Sequence, residues 1–539
     1  MGFRRLVMML PVLGALLAGS GCGRRETAVA EGLRTRTLHL GNQNEPATID
    51  PHIMDAATDM NVVVALFEGL TCYDEKTGEG VPGVASRWEV SADGLGYTFH
   101  LRPDAKWSNG DRVTAGDFAY SFQRILTPAL GSTYAYMLWP IRNAEAFNTG
   151  KITRFDEVGV TAVDDATLQL TLARPTPYLP MLAAHSTWMP VHRATVEKFG
   201  RAEDRASTWT RPGNLVGNGA FVLSEWQPNA RLTVTRNPHY WGAAQNQIER
   251  VVFYPIEKAE VEELNFRAGQ LHVTFGLPAS KITSYRSASD ERLRIDPLLA
   301  IEYLNFNTTK PPLNDIRVRR ALALAIDRAA IARNVYAGSR LPAGTIVPPN
   351  CGGYTGPAGL ELDFAAARRL LAEAGFPEGK GFPTMALQVR NDESQSRMAE
   401  AIQAMWQREL GVSITIEPYE QKTWLQKQQT LSHTLGVLGW TADFPDAVTF
   451  LDVFRTGNGN NWTGWGSPEY DRLLDAGAVT ANAAARLKLL QQAESVLLAE
   501  APAAPVNFRA RSYLLHPTVK NWIPSPLGIH RYQLLRLAN

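Results

Sequence analysis

Short segments that alternate between apolar and polar residues mark the first part of the chain. Apolar residues at positions 38 and 40 flank His39, and apolar residues alternate with polar ones over positions 97–101. A period of two places successive side chains on opposite faces of a sheet, so both segments are predicted to be strands. Thr114 and Asp117 have the spacing of a capping box, which predicts a helix over residues 115–126.

A cleaner alternation of strands and helices is predicted in the second half of the chain. Residues 385–389 alternate as a strand, residues 394–410 have a helical pattern that Gly411 ends, and residues 412–417 have a second strand pattern. Together they predict a βαβ unit, in which two parallel strands are joined by a right-handed crossover.

Two further segments of this half bear on fold and site. Residues 315–337 place apolar side chains on one face and stop at Gly338, which predicts one long helix. Residues 434–438 predict a strand, and Asp443 follows it. Ligands of open α/β sheets bind beyond the carboxyl ends of the strands, so Asp443 is a candidate binding residue.

The N-terminus has the pattern of a signal peptide. Two arginines precede an apolar run from Leu6 to Ala18, and small residues lead into Cys22. An apolar run of about 13 residues is shorter than the roughly 20 that a membrane span needs. Cys22 resembles the lipidated cysteine of bacterial lipoproteins, although Gly19 stands where that pattern usually has Leu. A plain secreted protein is the alternative.

Composition and charge exclude several classes of function. With 539 residues, the chain is too long for one hydrophobic core, so two or more lobes are expected. Lys and Arg total 54 against 53 for Asp and Glu, which disfavours nucleic acid as a partner. The three cysteines are far apart and have no metal-ligand spacing, so neither a metal site nor a cofactor is predicted. The sequence also lacks a Walker A motif for binding nucleotide.

Several stretches resemble the motifs of one known family, in that family's order. They are residues 45–52 with 66–70, 88–111, 217–221, 237–241, 306–308 with 315–322, 439–446 and 467–471. The most specific is residues 88–111, which ends in Trp107-Ser108-Asn109-Gly110-Asp111. On these motifs the chain resembles bacterial extracellular solute-binding protein family 5, the oligopeptide-binding proteins of ABC importers in the peptide- and nickel-binding superfamily.

This resemblance implies an α/β fold, the two-lobed periplasmic-binding-protein fold of type II, cluster C, with an accessory subdomain in lobe 1 and a hinged ligand cleft. The predicted parts are a signal peptide at 1–21, a lipidated N-terminus with a flexible tether at 22–36, lobe 1 at 37–300 with the accessory subdomain at about 84–185, lobe 2 at 301–505, and a C-terminal return to lobe 1 at 506–539. We expect the hinge where two strands cross near 296–305 and 502–508.

The resemblance also implies a function and a location. Members capture oligopeptides between the lobes and deliver them to ABC permease subunits in the membrane, without catalysis. We therefore expect a monomeric lipoprotein in the periplasm or on the extracytoplasmic face, anchored to a membrane through the lipid on Cys22.

Asp443 is the main candidate for ligand binding, because it matches the aspartate that pairs with the peptide amino group in relatives. A buried ammonium needs such a carboxylate partner. Trp440 is expected to wall the same pocket, with core packing as the alternative. Further candidates, each with a surface or structural alternative, are Asn461, Tyr134 and Tyr136 by resemblance and Asn44 and Glu45 by their place after a strand.

The sequence also departs from tripeptide-binding relatives. Matched without gaps, the positions that carry a His and an Arg near the ligand carboxylate in those relatives are Gln395 and Val437 here. A tryptophan of a side-chain pocket is replaced by Gln421, and the cysteine of a disulfide-bearing relative is replaced by Thr441. Peptide length and carboxylate recognition are therefore left open.

Other functions compete with peptide binding. The same family includes binders of dipeptides, nickel chelates, haem and oligosaccharides, and Trp440, Trp462 and Trp465 offer faces for stacking on sugars. A neutral sugar, however, would leave Asp443 without a partner. A secreted hydrolase is a remote alternative, because neither HExxH nor GxSxG is present. A receptor that hands its ligand to a sensor would need the same binding chemistry.

Overall fold

A computed structural model describes residues 26–539 of the chain. The predicted signal peptide and Cys22 lie outside these residues. The α-helices are Ala28–Thr35, Ala57–Leu66, Ala115–Leu126, Ala144–Asn148, Leu179–Leu182, Arg193–Lys198, Ala259–Arg267, Ala279–Ser287, Ile316–Leu324, Arg328–Asn334, Phe364–Glu373, Glu393–Leu410, Gln421–Gln429, Val448–Leu451, Pro468–Val479 and Ala483–Glu500. Over the described residues, no helix combines the length and the apolar character that crossing a membrane requires.

A four-stranded sheet forms the centre of the first lobe. In spatial order its strands are Thr37–Gly41, Arg250–Tyr254, Arg231–Arg236 and Phe221–Gln227. The first two are parallel, and the other neighbours are antiparallel. Leu38, Val234 and Val251 of this sheet are fully buried. The strand predicted around His39 is present, but both of its faces are buried, including His39 itself, so its burial does not follow the alternation of apolar and polar residues.

A second four-stranded sheet lies within the region predicted as accessory. Its strands, all antiparallel to their neighbours, are Ala85–Val90, Gly96–Leu101, Thr167–Thr171 and Val160–Asp164. The buried face of this sheet packs on the helix Ala115–Leu126. The capping box that opens this helix is confirmed, because Asp117 N–H donates to Thr114 Oγ1 at 3.3 Å and Thr114 N–H donates to Asp117 Oδ2 at 2.8 Å. Two short two-stranded pairs, Thr71–Tyr73 with Gly80–Pro82 and Val519–Lys520 with Arg536–Leu537, lie outside the larger sheets.

A six-stranded sheet organises the second lobe. In spatial order its strands are Leu341–Pro342, Ala503–Leu514, Leu293–Phe306, Leu435–Thr441, Met385–Arg390 and Ile414–Tyr419. The βαβ prediction is confirmed, because Met385–Arg390 pairs in parallel with Ile414–Tyr419 and the helix Glu393–Leu410 joins them. Gly411 ends the helix at a φ of 67°, a conformation that glycine adopts without strain.

The two longest strands connect the lobes. Leu293–Phe306 pairs with Ala503–Leu514, and their register shifts between Pro297 and Ile301. Beyond this pair, Leu515 bridges to Val273, which in turn bridges to Leu40 in the first sheet. The register shift falls inside the segment predicted as the hinge, and hinge motion there stays a prediction.

The prediction of one long helix over residues 315–337 is wrong. The structure has two helices, Ile316–Leu324 and Arg328–Asn334, with a break at 325–327. Asp327 caps the second helix by accepting a hydrogen bond from the N–H of Ala330 at 2.8 Å. The local preference of Asp for this position overrides the apolar periodicity, which continues through the break.

The flexible tether predicted for residues 22–36 is wrong at its C-terminal end. Residues Ala28–Thr35 form a helix that Thr27 caps. Val29 is buried, and its N–H donates to the carbonyl of Gly269 at 3.0 Å. A Cβ on Gly32 would lie 2.7 Å from Cε1 of His272, so the small residue permits this close contact. Small side chains that suggested flexibility instead allow tight packing.

Candidate functional site

A cavity of about 710 Å³ lies between the accessory region and the second lobe. One wall comes from residues 136–182, and the other follows the strand Leu435–Thr441 and the loops after it. Its lining residues are Tyr136, Met137, Trp139, Pro140, Glu145, Ala173, Arg174, Tyr178 and Leu182 on one side and Trp440, Asp443, Phe444, Val448, Thr449, Asp452, Val453, Asn458, Gly459 and Asn460 on the other.

Asp443 lies two residues beyond the strand Leu435–Thr441, where the strand-end argument places it. The hydroxyl of Tyr136 donates to its Oδ2 at 3.2 Å. Within residues 26–539, no Lys, Arg or His nitrogen lies within 4.0 Å of its carboxylate. Burial raises the pKa of Asp443 to about 6, and the hydrogen bond from Tyr136 acts in the opposite direction. At neutral pH Asp443 is therefore an ionised carboxylate with no described cation within 4.0 Å, although Arg174 also lines the cavity.

Aromatic rings surround this carboxylate. Tyr134 and Tyr136 stack with their ring centroids 5.8 Å apart. Tyr178 of the accessory region stacks on Phe444 of the second lobe at 4.9 Å, with an angle of 7° between the rings. These rings offer apolar contact area on both walls and join the two sides of the cleft.

A second cavity of about 220 Å³ adjoins Asp443 on its other side. Tyr134, His185 and Thr441 line it together with Asp443. Burial lowers the pKa of His185 to about 4, so this histidine is neutral at physiological pH and adds no cation beside the carboxylate.

A third cavity of about 260 Å³ collects the positions where the sequence departs from tripeptide-binding relatives. Gln395, Gln421, Val437 and Thr441 all line it, and Trp440 lines both this cavity and the large one. Two arginines, Arg390 and Arg509, face the same space. The substitutions noted in the sequence are therefore grouped in a single pocket.

Three of the predicted site residues, Asn461, Glu45 and Asn44, lie outside the lining of these cavities. The amide of Asn461 donates to the carbonyls of its own loop, including that of Trp465 at 2.9 Å, and its Oδ1 accepts from the hydroxyl of Thr463 at 2.6 Å. Glu45 accepts hydrogen bonds from the indole of Trp226 and from the backbone of Asn229. Asn44 is exposed on the same loop as Glu45. None of the three lines the cavities described above.

Sequence reasoning missed Arg390 and Arg509. Arg390 ends the strand Met385–Arg390, which is parallel to Leu435–Thr441, so the argument that found Asp443 also applies to Arg390. Arg509 lies within the long strand Ala503–Leu514, and no local pattern distinguishes it. Within residues 26–539, no group of three His, Cys, Asp or Glu side chains is placed to hold a metal ion.

Comparisons with known proteins agree with this architecture. The model of the bacterial extracellular solute-binding proteins, family 5 Middle, matches residues 79–462. The chain is 33% identical over 503 residues to the oligopeptide-binding protein OppA of Bacillus subtilis (strain 168), covering 91% of each chain. It is 35% identical over 523 residues to the periplasmic oligopeptide-binding protein OppA of Salmonella typhimurium (strain LT2), covering 94% of each chain.

Among solved structures, the unliganded open form of the periplasmic murein tripeptide-binding protein MppA superposes with a TM-score of 0.84. The two sequences are 32% identical, and the match covers 93% of this chain and 97% of MppA. The two-lobed α/β fold expected from the sequence is confirmed. The extent of these matches shows that the chain belongs to the bacterial extracellular solute-binding proteins of family 5.

Proposed function

We propose that this chain is the extracytoplasmic substrate-binding protein of an ABC transporter, which captures oligopeptides between its lobes and delivers them to membrane permease subunits. The observation that carries the proposal is the carboxylate of Asp443, held in a cavity of about 710 Å³ without a cationic partner. The relatives named as oligopeptide-binding proteins support the same conclusion.

A peptide supplies what this cavity lacks. Its terminal ammonium would neutralise Asp443. An enclosed carboxylate is costly while it is unpaired, so pairing it with the ammonium favours binding of the peptide. Its side chains would contact the rings of Tyr136, Tyr178 and Trp440, which offer area without selecting for charge. This combination suits a receptor that binds the common backbone and tolerates many side chains.

Oligosaccharide binding is the competing candidate. Trp139 and Trp440 line the large cavity and Trp462 lines the smaller one, so flat faces for sugar rings are available. A neutral sugar would leave the ionised Asp443 enclosed and unpaired, at a cost in binding free energy. The charge at Asp443 therefore favours the peptide. We propose no catalytic role.

We also propose that the mature protein is a monomer tethered at the extracytoplasmic face through a lipid on Cys22. The signal-peptide pattern before Cys22 supports the anchor, and relatives that are named as periplasmic support the extracytoplasmic location. Labelling of cells with radioactive palmitate should mark the wild-type protein, whereas Cys22→Ser should remain unlabelled and be released on cell fractionation. Equal labelling of both proteins would contradict the anchor.

Native mass spectrometry of the protein purified from cells tests the peptide proposal. Denaturing release of the bound material should give masses that differ by amino-acid residues. Asp443→Asn, purified in parallel, should carry far less of this material. A ladder of hexose masses on both proteins would contradict the proposal and favour the sugar.

A further inference from the structure

Arg390 and Arg509 face the cavity of about 260 Å³ without a protein partner. Among the described residues, neither guanidinium lies within 4.0 Å of a carboxylate or donates a hydrogen bond. Arg390 lies over the ring of Trp424, with its guanidinium carbon 5.8 Å from the ring centroid. Arg509 is exposed to the cavity. The lining amides of Gln395 and Gln421 carry no charge to balance these two cations.

Several other enclosed arginines of this chain are paired within the protein, although Arg531 has a buried Nε without a hydrogen-bond partner in the described part of the chain. Arg124 forms a bidentate ion pair with Asp50, with hydrogen bonds of 2.7 and 3.0 Å. Arg486 forms a bidentate ion pair with Asp446 through Nη1 and Nη2, each at 2.8 Å. Arg328 donates to three backbone carbonyls. An enclosed charge is costly without partners, and these three arginines have them. Arg390 and Arg509 differ because they face a cavity that a ligand can enter and have no carboxylate or carbonyl partner there among the described residues.

The carboxylates nearest to this pair are already in use. Glu302 binds Arg340 and accepts hydrogen bonds from the hydroxyl of Tyr336 at 2.9 Å and the amide of Asn507 at 3.0 Å. Asp392 caps its own helix, accepting from the N–H of Gln395 at 2.9 Å. Arg340 adds a further positive charge near Arg509. The region therefore has more cations than the protein itself neutralises.

We propose that Arg390 and Arg509 form an anion subsite that binds a carboxylate of the ligand. The inference rests on the proposed peptide function and deepens it, because it assigns a chemical group to the end of the cleft away from Asp443. Two planar guanidinium groups suit a carboxylate, each by paired N–H donors. The carboxylate comes either from the C-terminus of the peptide or from an acidic side chain.

The two arginines lie on opposite sides of the strand that leads to Asp443. Arg390 is on the adjacent strand, Met385–Arg390, whereas Arg509 is two strands away in the other direction, because Thr441 pairs with Ala300 and Ile301 pairs with Phe508. One and two strand spacings are about 5 and 10 Å. An extended peptide spans about 3.3 to 3.6 Å per residue. We therefore expect short peptides, of about two to four residues, to be long enough to join the two charges.

Calorimetry with alanine peptides of two to six residues tests the subsite. Each length is used with a free C-terminus and with a C-terminal amide. Peptides of three or more residues are also used as amides in which one internal alanine is replaced by Glu or Gln. The proteins are the wild type, Arg390→Gln, Arg509→Gln and the double variant, with Arg333→Gln on an exposed helix as the control. Binding of the amides and thermal denaturation verify that each variant is folded.

If the carboxylate is C-terminal, amidation weakens wild-type binding by about 30-fold at one of these lengths. If the carboxylate belongs to a side chain, exchanging Glu for Gln in the peptide weakens wild-type binding to the same extent, and amidation of the C-terminus does not. In either case the double variant removes the difference, while Arg333→Gln keeps it. The subsite alone is overturned if the double variant keeps the difference in affinity between peptides with and without a carboxylate. It is also overturned if the wild type binds both kinds of peptide equally well. Failure of all peptides to bind the wild type overturns the peptide proposal as well.

Discussion

The two ends of the cleft differ in the sign of the charge that the protein leaves uncompensated. At one end the carboxylate of Asp443 accepts a single hydrogen bond, from Tyr136, and has no described cation within 4.0 Å, with Arg174 elsewhere on the cavity wall. At the other end Arg390 and Arg509 have no carboxylate. Trp440 lines the cavities at both ends. A ligand that carries an ammonium and a carboxylate at a fixed separation satisfies both ends, so the comparison predicts one orientation for the bound peptide.

The largest expected effect comes from removing the charge at Asp443. Asp443→Asn should weaken binding of a free-amine peptide by about 100-fold or more, because the ligand ammonium loses the carboxylate partner that we propose for it. Calorimetry against the same peptide with an acetylated N-terminus provides the control, since this ligand should lose little affinity. Equal losses for both ligands would contradict the assignment of the ammonium to Asp443.

The same substitution should stabilise the empty protein. Because burial raises the folded-state pKa of Asp443 from an ordinary value of 3.8 to about 6, ionising this group at pH 7 disfavours the folded state. Asp443→Asn removes that cost, so its melting temperature without ligand should exceed that of the wild type at pH 7. The advantage should shrink as the pH falls below 6, and a variant that melts lower at pH 7 would contradict this.

The affinity of the wild type should depend on pH through the same group. Below a pKa of about 6 the carboxylate is protonated before the ligand arrives, so affinity should fall by about tenfold between pH 7 and pH 5. Asp443→Asn should show no such loss in calorimetry over this range. A pH dependence that is unchanged in the variant would place the titrating group elsewhere.

A smaller effect is expected from Tyr136→Phe. Loss of the hydrogen bond to Asp443 should weaken peptide binding by about fivefold, since one such bond contributes about 1 kcal/mol. Because this bond lowers the pKa of Asp443, the midpoint of the pH profile should also move upward in the variant. If the midpoint of the pH dependence is the same in Tyr136→Phe and the wild type, Tyr136 does not influence the ionisation of Asp443.

The smallest effect is expected from Glu45→Gln. This residue was a candidate from its place after a strand, but it bonds Trp226 and Asn229 away from the cavities. Affinity for peptide should therefore stay unchanged in calorimetry, while thermal stability falls modestly. A clear loss of affinity with unchanged stability would restore Glu45 to the binding site.

Local signals in the sequence predicted much of the fold and one end of the cleft. The capping box at Thr114, the βαβ unit ended by Gly411, and Asp443 after its strand all depend on neighbouring residues, which sequence shows directly. The position of Arg509 depends on the pairing of strands 200 residues apart, as in Glu302 with Asn507, which no local pattern contains. The amide of Asn461 bonds its own loop, a competition that residue type alone does not show, and its contact with a ligand stays a prediction.

Calorimetry with one alanine peptide of the best-binding length, in four forms, tests whether the cleft recognises opposite charges at its two ends. The forms have a free or acetylated N-terminus combined with a free or amidated C-terminus. We expect each cap to weaken binding, Asp443→Asn to abolish the effect of acetylation, and the double variant of Arg390 and Arg509 to abolish the effect of amidation. Equal binding of all four forms to the wild type would contradict a cleft that recognises opposite charges at its two ends.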